Sequence, residues 1–298
     1  MTGGTPRVSV VMTSYGKSRF IGEAIESVLG QTYAEFELVI VDDCSVDGSR
    51  KIAEDYARTD ERIRIIPNPV RIGFSRSTNV GIRNARGDAV AFIDADDLYS
   101  PPNLEKLLRR MEAEPAPTVV YSDRWKVDPD GNVIPRKGRG HDYRSGRVFG
   151  DLLATGFGHI TAALIPKECF TKVGLYDESM TWAVDYDFAL RLAREFPFAY
   201  VPEQLYGYRV YSESMSGSTD RIARLRIQGK IIEKYLRESP ELLSNEQLDH
   251  AEAELLRIYW ITGQRAKLVS RGVRSLVGIG FIVRYSGRSL LKRLGEGR

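Results

Sequence analysis

The chain is 298 residues long, 42% hydrophobic and 28% charged, which suits one large domain with a sizeable core, or one domain with an appendage. Nowhere do eighteen uncharged apolar residues run together, and the opening MTGGTPRVSVVMTSYG has no basic segment ahead of a long apolar core. The sequence is therefore read as neither membrane-spanning nor secreted; two cysteines, Cys44 and Cys169, make no disulfide framework and point to a reducing cytoplasm. The formal net charge of +3 is uneven, because from Thr262 to Arg298 nine Lys or Arg stand against one acid, Glu296, leaving the residues before them net acidic. Without basic residues interleaved with aromatics in that main body, no nucleic-acid partner is expected.

Residues 7–13, RVSVVMT, form a β-branched run that breaks at TSYGKS, after which Phe20, Ile21, Ala24, Ile25, Val28 and Leu29 recur at helical spacing. FELVIVDD (36–43) repeats the strand, Ser45 or Asp47 in CSVDGS is placed to cap, and SRKIAEDYARTD repeats the helix. RIRIIPN (62–68), the helical SRSTNVGIRNARG with a glycine suited to its C-cap, and the strand DAVAFID follow. Nearly continuous apolar strands alternating with helices predict an α/β fold whose parallel sheet is covered on both faces. Ligands of such sheets bind at the carboxyl ends of the strands. There this sequence places Thr13 and Tyr15, then Asp42 and Asp43, then Asp94, Asp96 and Asp97, which argues for one shared site.

Beyond the helix PPNLEKLLRRMEAEP, VVYSDRWKVDPDGNVIPRK reads as a strand and a hairpin turned at Asp130-Gly131. Residues 138–147 form a loop rich in Gly, Arg and His, and ITAALIPKECFTKVGLYDES resumes strand and helix. VDYDFALRLAREF is an amphipathic helix with Phe188, Leu192 and Phe196 at intervals of four, and from about Asp220 to Lys267 the pattern is helical.

Three carboxylates within DADD repel one another and, at the end of a buried strand, need a positive partner. A capped turn before the helix near Pro101 would use one acceptor. Three carboxylates, with Asp42 and Asp43 on a neighbouring strand end, suit a hard divalent cation such as Mg2+, which takes one or two carboxylates plus substrate phosphates. For Asp42 and Asp43 two readings stand side by side: carboxylates at the positive end of a helix, or an acceptor for the ring N–H of a nucleobase stacked on Tyr15. His141, His159 and His250 lack ligand spacing, so no zinc site is expected. His159 is a candidate acceptor contact or a satisfied loop histidine, Trp182 a sugar-stacking wall or core, and Cys44 a small buried residue without a base partner.

VSVVMTSYGKS, AIESVLGQTYAEFELVIVDDCSVDGS, NPVRIGFSRSTNVGIRNARGDAVAFIDADD and VDYDFALRLA, in that order over roughly residues 7–215, resemble a family 2 glycosyltransferase of the GT-A fold. The resemblance implies a Rossmann-like, mixed but mostly parallel sheet flanked by helices over 1–219. Within it, about 1–100 would bind the nucleotide-sugar and about 101–219 the acceptor, and 220–298 would be a helical extension with a basic tail. It also implies inverting transfer from a nucleoside diphosphate sugar to a glycan, lipid-linked or small-molecule acceptor, in cell-surface glycan, polysaccharide or glycoconjugate biosynthesis.

Residue by residue, Thr13 and Tyr15 match the nucleotide-contacting turn and Asp43 the carboxylate that reads the base. Asp94 and Asp96 match the pair that holds the ribose and an Mg2+ or Mn2+ on the diphosphate, with Asp97 beside them as a second metal carboxylate, uncompensated until metal and diphosphate arrive. Asp185 matches the catalytic base, with capping of its own helix as the alternative; Asp187 points to a different helix face. UDP is the expected nucleotide, since an aspartate reading N3–H and a stacking tyrosine suit a pyrimidine, and thymidine would fit similarly. Arg76 is a candidate phosphate contact and Arg71 lies near; the alternative for each is a solvated surface charge. The chain departs from the family at Thr78-Asn79, where many relatives carry Arg-Asn, at Val184, where an acid is common, and at Tyr211, where a histidine is frequent and a neutral phenol is a poor Mg2+ ligand.

In SLVGIGFIVRYSGRSLLKRLGEGR apolar clusters alternate with arginines, as in a helix on an anionic membrane surface; a contact surface in a homo-oligomer is the competing reading. The alternative function is a catalytically silent sugar-nucleotide-binding or membrane-surface scaffold, against which Asp185 stands, because binding alone needs no base.

Overall fold

The alternation of apolar runs with amphipathic segments is realised in the computed structural model, which describes residues 6–135, 144–155, 160–212 and 221–272. In order come β1 (Val8–Ser14), α1 (Ile21–Leu29), β2 (Phe36–Asp42), α2 (Ser49–Ala57), β3 (Ile63–Pro67), α3 (Phe74–Asn84) and β4 (Ala89–Asp94). Every residue of β2 is buried, because helices cover both faces and neither needs a polar side. Val10 and Met12 share one core cluster with Ile21, Ala24 and Ile25 of α1. Val11, pointing to the other face, meets α3 at Gly81, where a Cβ would stand 2.3 Å from Val11 Cγ1.

The chain continues through β5 (Leu98–Tyr99), α4 (Asn103–Glu112), β6 (Val119–Val127), β7 (Val133–Ile134), α5 (Phe149–Thr155), β8 (Ala163–Pro166), α6 (Lys167–Val173), α7 (Val184–Glu195) and β9 (Phe198–Arg209). The sheet runs β3-β2-β1-β4-β8-β6-β9-β5, with β7 on β6. Strands β3, β2, β1 and β4 are mutually parallel, β8 is antiparallel to β4 and β6, and β6 is parallel to β9. The expected hairpin is present, with Gly131 in a left-handed conformation at φ 85 and Val127 opposite Val133. The chain winds outward from β1 to β2 and β3, then returns to place β4 on the other side of β1. The carboxyl ends of β1 and β4 thereby form a topological switch point, where such sheets bind ligands.

The C-terminal part comprises α8 (Arg221–Glu238), α9 (Asn245–Ile261), opened by a Ser244/Gln247 capping box, and α10 (Arg265–Gly272). The chain divides into two compact units, Met1–Val148 with His159–Ser218, and Phe149–Gly158 with Thr219–Arg298. The segment carrying α5, expected in the acceptor half, thus groups with the C-terminal helices. Phe149 meets Tyr235 edge-on at 5.5 Å, and Gln247 Nε2 donates to Asp151 Oδ1 at 3.3 Å. No helix among the described residues is long and apolar enough to cross a membrane. His141, His159 and the tail beyond Gly272 lie outside the described residues.

Candidate active site

Parallel pairing of β1 and β4 sets Thr13 opposite Asp94, where the Thr13 hydroxyl favours the ionised carboxylate. Asp94 is pushed up to about 7, first by burial and then by the charge of Asp96, with Asp185 adding to the rise and Lys17 opposing it. The last contribution but one matters for the architecture: Asp185, far along the chain, stands within electrostatic reach of Asp94. The bridge between them is aromatic. Phe92 of β4 meets Tyr176 at 6.1 Å, and Tyr176 stacks on Phe188 of α7 at 4.4 Å.

Asp185 lies in the first turn of α7, partly exposed, with Oδ1 accepting from Tyr186 N at 2.9 Å. The turn is entered through Ala183 in a left-handed conformation at φ 55, which a non-glycine residue adopts only under constraint. Asp187 faces the interior, paired with Arg191 at 2.8 Å, and Arg191 donates to Val173 O and Leu175 O. It anchors the helix rather than facing the site. Trp182, half-buried, precedes the turn.

Asp96 is held by Tyr211, which the sequence singled out as standing where relatives carry a histidine, and by Lys17, which it did not. Its Oδ2 accepts from Lys17 Nζ at 2.6 Å and from the Tyr211 hydroxyl at 2.6 Å, and Nζ donates to the Tyr211 oxygen at 2.5 Å. Burial disfavours the Lys17 ammonium, but the charge and hydrogen bond of Asp96, with Tyr211, outweigh it and hold Lys17 above its ordinary value. Burial, then the hydrogen bond to Asp96, pushes Tyr211 up to about 12. Lys17 could have been found only from its place two residues after Tyr15 on the strand-end turn.

Asp97, expected beside the metal, has both carboxylate oxygens engaged by β9. It is buried at 2% exposure, with Oδ1 accepting from Arg209 N at 2.8 Å and Oδ2 from the Tyr206 hydroxyl at 2.6 Å. One step along a tight turn changes the partners: Asp96 is held by Lys17 and Tyr211, Asp97 by Tyr206 and Arg209 of β9. Burial, then the charges of Asp94 and Asp96, raises its pKa. Arg209, also missed from sequence, is buried and donates through Nε to Asp96 O at 2.8 Å, through one terminal nitrogen to Pro129 O at 2.9 Å and through the other to Glu23 Oε2 at 2.6 Å. It ties the acidic turn to the hairpin and to α1.

At the end of β2, Asp43 is buried and clamps the following loop: Oδ1 accepts from Asn68 Nδ2 at 3.0 Å and Ile72 N at 2.8 Å, Oδ2 from Gly73 N at 2.8 Å. Asp42 Oδ2 accepts from Ser45 N at 3.2 Å, while its buried Oδ1 has no partner among the described residues. The cap position of α2 is Gly48, which has no side chain to offer; Asp47, one residue earlier, instead braces the loop, its carboxylate accepting from Ser49 N at 3.1 Å and Ser18 N at 2.8 Å. Tyr15 is 41% exposed and carries the Arg71 guanidinium 4.0 Å from its ring centroid. Arg76 instead pairs with Glu178 at 3.5 Å, which Asn79 also holds at 2.9 Å. Arg71, not Arg76, therefore stands with the Tyr15 ring.

Residues 9–174 match the Glycosyl transferase family 2 profile. The chain belongs to this family. An uncharacterized glycosyltransferase of Methanocaldococcus jannaschii is 31% identical over 69% of this chain and 71% of its own. Chondroitin synthase of Escherichia coli is 27% identical over 78% of this chain but only 32% of its own length, so the family 2 chain spans about a third of that enzyme. Among solved structures, S. aureus TarS 1-349 in complex with UDP-GlcNAc aligns with a TM-score of 0.64 at 16% identity, over 88% of this chain and 75% of that one. A mannosyltransferase from Pyrobaculum calidifontis in complex with GDP-Man and Mn2+ aligns with a TM-score of 0.65 at 21% identity, over 97% and 81%. The fold of this family 2 glycosyltransferase is GT-A.

The donor set bears on a metal. Among the described residues no three His, Cys, Asp or Glu side chains gather as a cage. Asp94 and Asp96 supply two carboxylates on one turn, a set that suits Mg2+ or Mn2+ when phosphate oxygens complete the coordination. Asp96 Oδ2 already holds a cation, the Lys17 ammonium, so the position accepts positive charge.

Proposed function

We propose that this family 2 glycosyltransferase moves a sugar, with inversion, from a UDP-sugar to an acceptor hydroxyl in cell-surface glycan, polysaccharide or glycoconjugate synthesis. Mg2+ or Mn2+ would be held by Asp96 and Asp94 against the diphosphate. The observation that carries the reading is that Asp94 and Asp96 stand together at the end of β4 and that the charge of Asp185, in the first turn of α7, is felt at Asp94.

The chemistry follows from these groups. An acceptor hydroxyl is a weak nucleophile at neutral pH, and a carboxylate that takes its proton as the new bond forms makes the attack feasible. In this reading Asp185 takes that proton, the acceptor oxygen bonds the anomeric carbon from the face opposite the diphosphate, and the electron pair of the breaking bond leaves with the diphosphate. The metal, when bound, offsets the charge that develops there. Asp43 Oδ2, which takes one hydrogen bond from Gly73 N, retains acceptor capacity for a uracil or thymine N3–H, with Tyr15 as the stacking surface. The basic residues of 262–298 would hold the protein at an anionic membrane surface where lipid-linked acceptors lie. Equal partition on anionic liposomes by the full chain and one ending at Gly272 would overturn that part.

The test is calorimetric titration of UDP, dTDP and GDP, with and without Mn2+, into wild type, Asp96→Ala and Asp185→Asn. Expected is Mn2+-dependent binding of a pyrimidine diphosphate that Asp96→Ala loses and Asp185→Asn keeps. Asp185→Asn should lower transfer by about 10²–10⁴-fold. Failure of all three nucleotides to bind under either condition would refute the reading, and GDP alone binding would refute the choice of UDP.

A further inference from the structure

We propose that Lys17 is a built-in counter-cation of the metal position: it competes with the divalent ion for Asp96 and passes to the donor's diphosphate, so that the ion binds well only together with the nucleotide. The inference rests on the reading of Asp94 and Asp96 as the metal carboxylates.

A carboxylate oxygen has two lone pairs, and Asp96 Oδ2 spends both, on Lys17 Nζ at 2.6 Å and on the Tyr211 hydroxyl at 2.6 Å. The side chains of Lys17 and Asp96 are 21% and 13% exposed, so the pair is largely shielded from water, where attraction and repulsion between charges are stronger than at the surface. A divalent ion approaching Asp96 meets an ammonium within a few ångströms, on the order of the contact distance at which like charges repel most. Tyr211 strengthens the pair from the other side, accepting from Nζ at 2.5 Å while donating to Asp96, with its ring packed on Phe20 at 5.0 Å. Lys17 also sits on the right element for a second role. It belongs to the turn after β1 that carries Tyr15, next to Ser18, whose amide is tied to Asp47 of the adjacent strand-end loop at 2.8 Å. An ammonium displaced from Asp96 therefore remains on the lip of the strand ends, where a diphosphate brings the negative charge that the ion has taken from it.

The discriminating experiment titrates Mn2+ without nucleotide, read from the EPR signal of free aquo-Mn2+, into wild type, Lys17→Met, Lys17→Gln, Lys17→Arg and Asp96→Ala. It then titrates UDP and GDP calorimetrically at saturating Mn2+. Lys17→Met and Lys17→Gln should bind Mn2+ alone about tenfold tighter than wild type, Lys17→Arg should stay near wild type, and the nucleotide bound by wild type should bind about tenfold weaker to Lys17→Met and Lys17→Gln. Two neutral replacements are used so that poor folding of one, seen by circular dichroism, leaves the other to decide. Mn2+ affinity that is unchanged or weaker in the folded neutral variants overturns the role of Lys17, and does so on its own if Asp96→Ala abolishes Mn2+ binding. Mn2+ binding that survives Asp96→Ala, or is absent from every variant with and without nucleotide, overturns the metal reading and this inference together.

Discussion

Replacing Asp97 with alanine would remove the acceptor shared by two buried donors, the Arg209 amide at 2.8 Å and the Tyr206 hydroxyl at 2.6 Å. Each buried donor left without a partner costs about 1–3 kcal/mol, so with two such donors Asp97→Ala should lose about 2–6 kcal/mol, a large share of the 5–15 kcal/mol or so that holds a typical domain. Asp97→Asn should behave differently. Burial and the charges of Asp94 and Asp96 raise the Asp97 pKa, so the fold favours the neutral carboxyl, and a neutral amide supplies an oxygen for the Arg209 amide and an N–H for the Tyr206 oxygen. Its stability at pH 7 should lie within about 1 kcal/mol of wild type.

The pH dependence follows from the same shift. An acid whose pKa is higher in the folded than in the unfolded chain, where it is about 3.9, binds its proton more tightly when folded. Its contribution is complete below the unfolded value and is lost as pH rises through the folded value. Wild type should therefore lose more stability with rising pH than Asp97→Asn, which keeps only the part of the slope that the raised Asp94 supplies. Urea unfolding at pH 5 and pH 8 measures both quantities, and Mn2+ titration of the same samples supplies the control. An Asp97→Ala protein as stable as wild type but unable to bind Mn2+ would show that Asp97 is a metal ligand and that its hydrogen bonds to β9 are incidental.

Gly87→Ala should cost about 1–3 kcal/mol, because the new Cβ would stand 2.6 Å from Ser9 N and 2.8 Å from Val8 C, backbone atoms of the β1 region that cannot move aside; an unchanged urea midpoint would contradict this. Asp47→Ala should cost about 1 kcal/mol. Burial would raise the Asp47 pKa, but hydrogen bonds from Ser49 and Ser18 hold it at about 2. The contribution is thus present above about pH 3.9 and lost as pH falls through that folded value, where wild type and variant should converge in thermal unfolding. Tyr15→Ala should weaken nucleotide binding by about tenfold or more, the worth of one base–aromatic stack. Unchanged calorimetric affinity would place the base away from that ring.

The first half of the chain was legible because its signals are local. Apolar runs of five to seven residues ending in Asp or Ser-Tyr-Gly mark β1, β2 and β4 without any knowledge of their neighbours, and the parallel order follows from the helices between them. β9 was not legible. Its twelve residues contain Pro202 and Gly207, which read as breaks. In the structure Pro202 falls where the register slips, between Val201 opposite Ser122 and Gln204 opposite Asp123, and Gly207 makes room for Trp125, whose Cζ2 would lie 2.5 Å from a Cβ there. Both are strand features that only the partner strand explains. Lys17 and Arg209 were hidden for a related reason: their decisive partners lie 79 and 186 residues away, and an isolated basic residue in a polar turn looks like one that water solvates. The three carboxylates of DADD were grouped by proximity, but alternation along a strand says nothing about a tight turn, and the turn gives Asp96 and Asp97 different partners.

That divergence alters what the site presents to a donor. From sequence, the three carboxylates looked uncompensated until metal and diphosphate arrived, a strand end that would repel the anion it must bind. In the folded chain the repulsion is relieved residue by residue. Asp96 is neutralised by Lys17 at 2.6 Å. Asp94 is pushed up to about 7 by burial and by the charge of Asp96, so it holds a proton far more readily than an exposed carboxyl. Asp97 is turned inward, where burial favours the neutral form. The strand end thus approaches neutrality through the chain's own groups. Each of these compensations is reversible, by displacement of an ammonium or loss of a proton, and a divalent cation entering beside a diphosphate would drive both changes at Asp96 and Asp94 while leaving Asp97 in the sheet. Metal uptake at pH 6 should accordingly release more protons than at pH 8, the expected direction for a carboxylate ligand titrating between them.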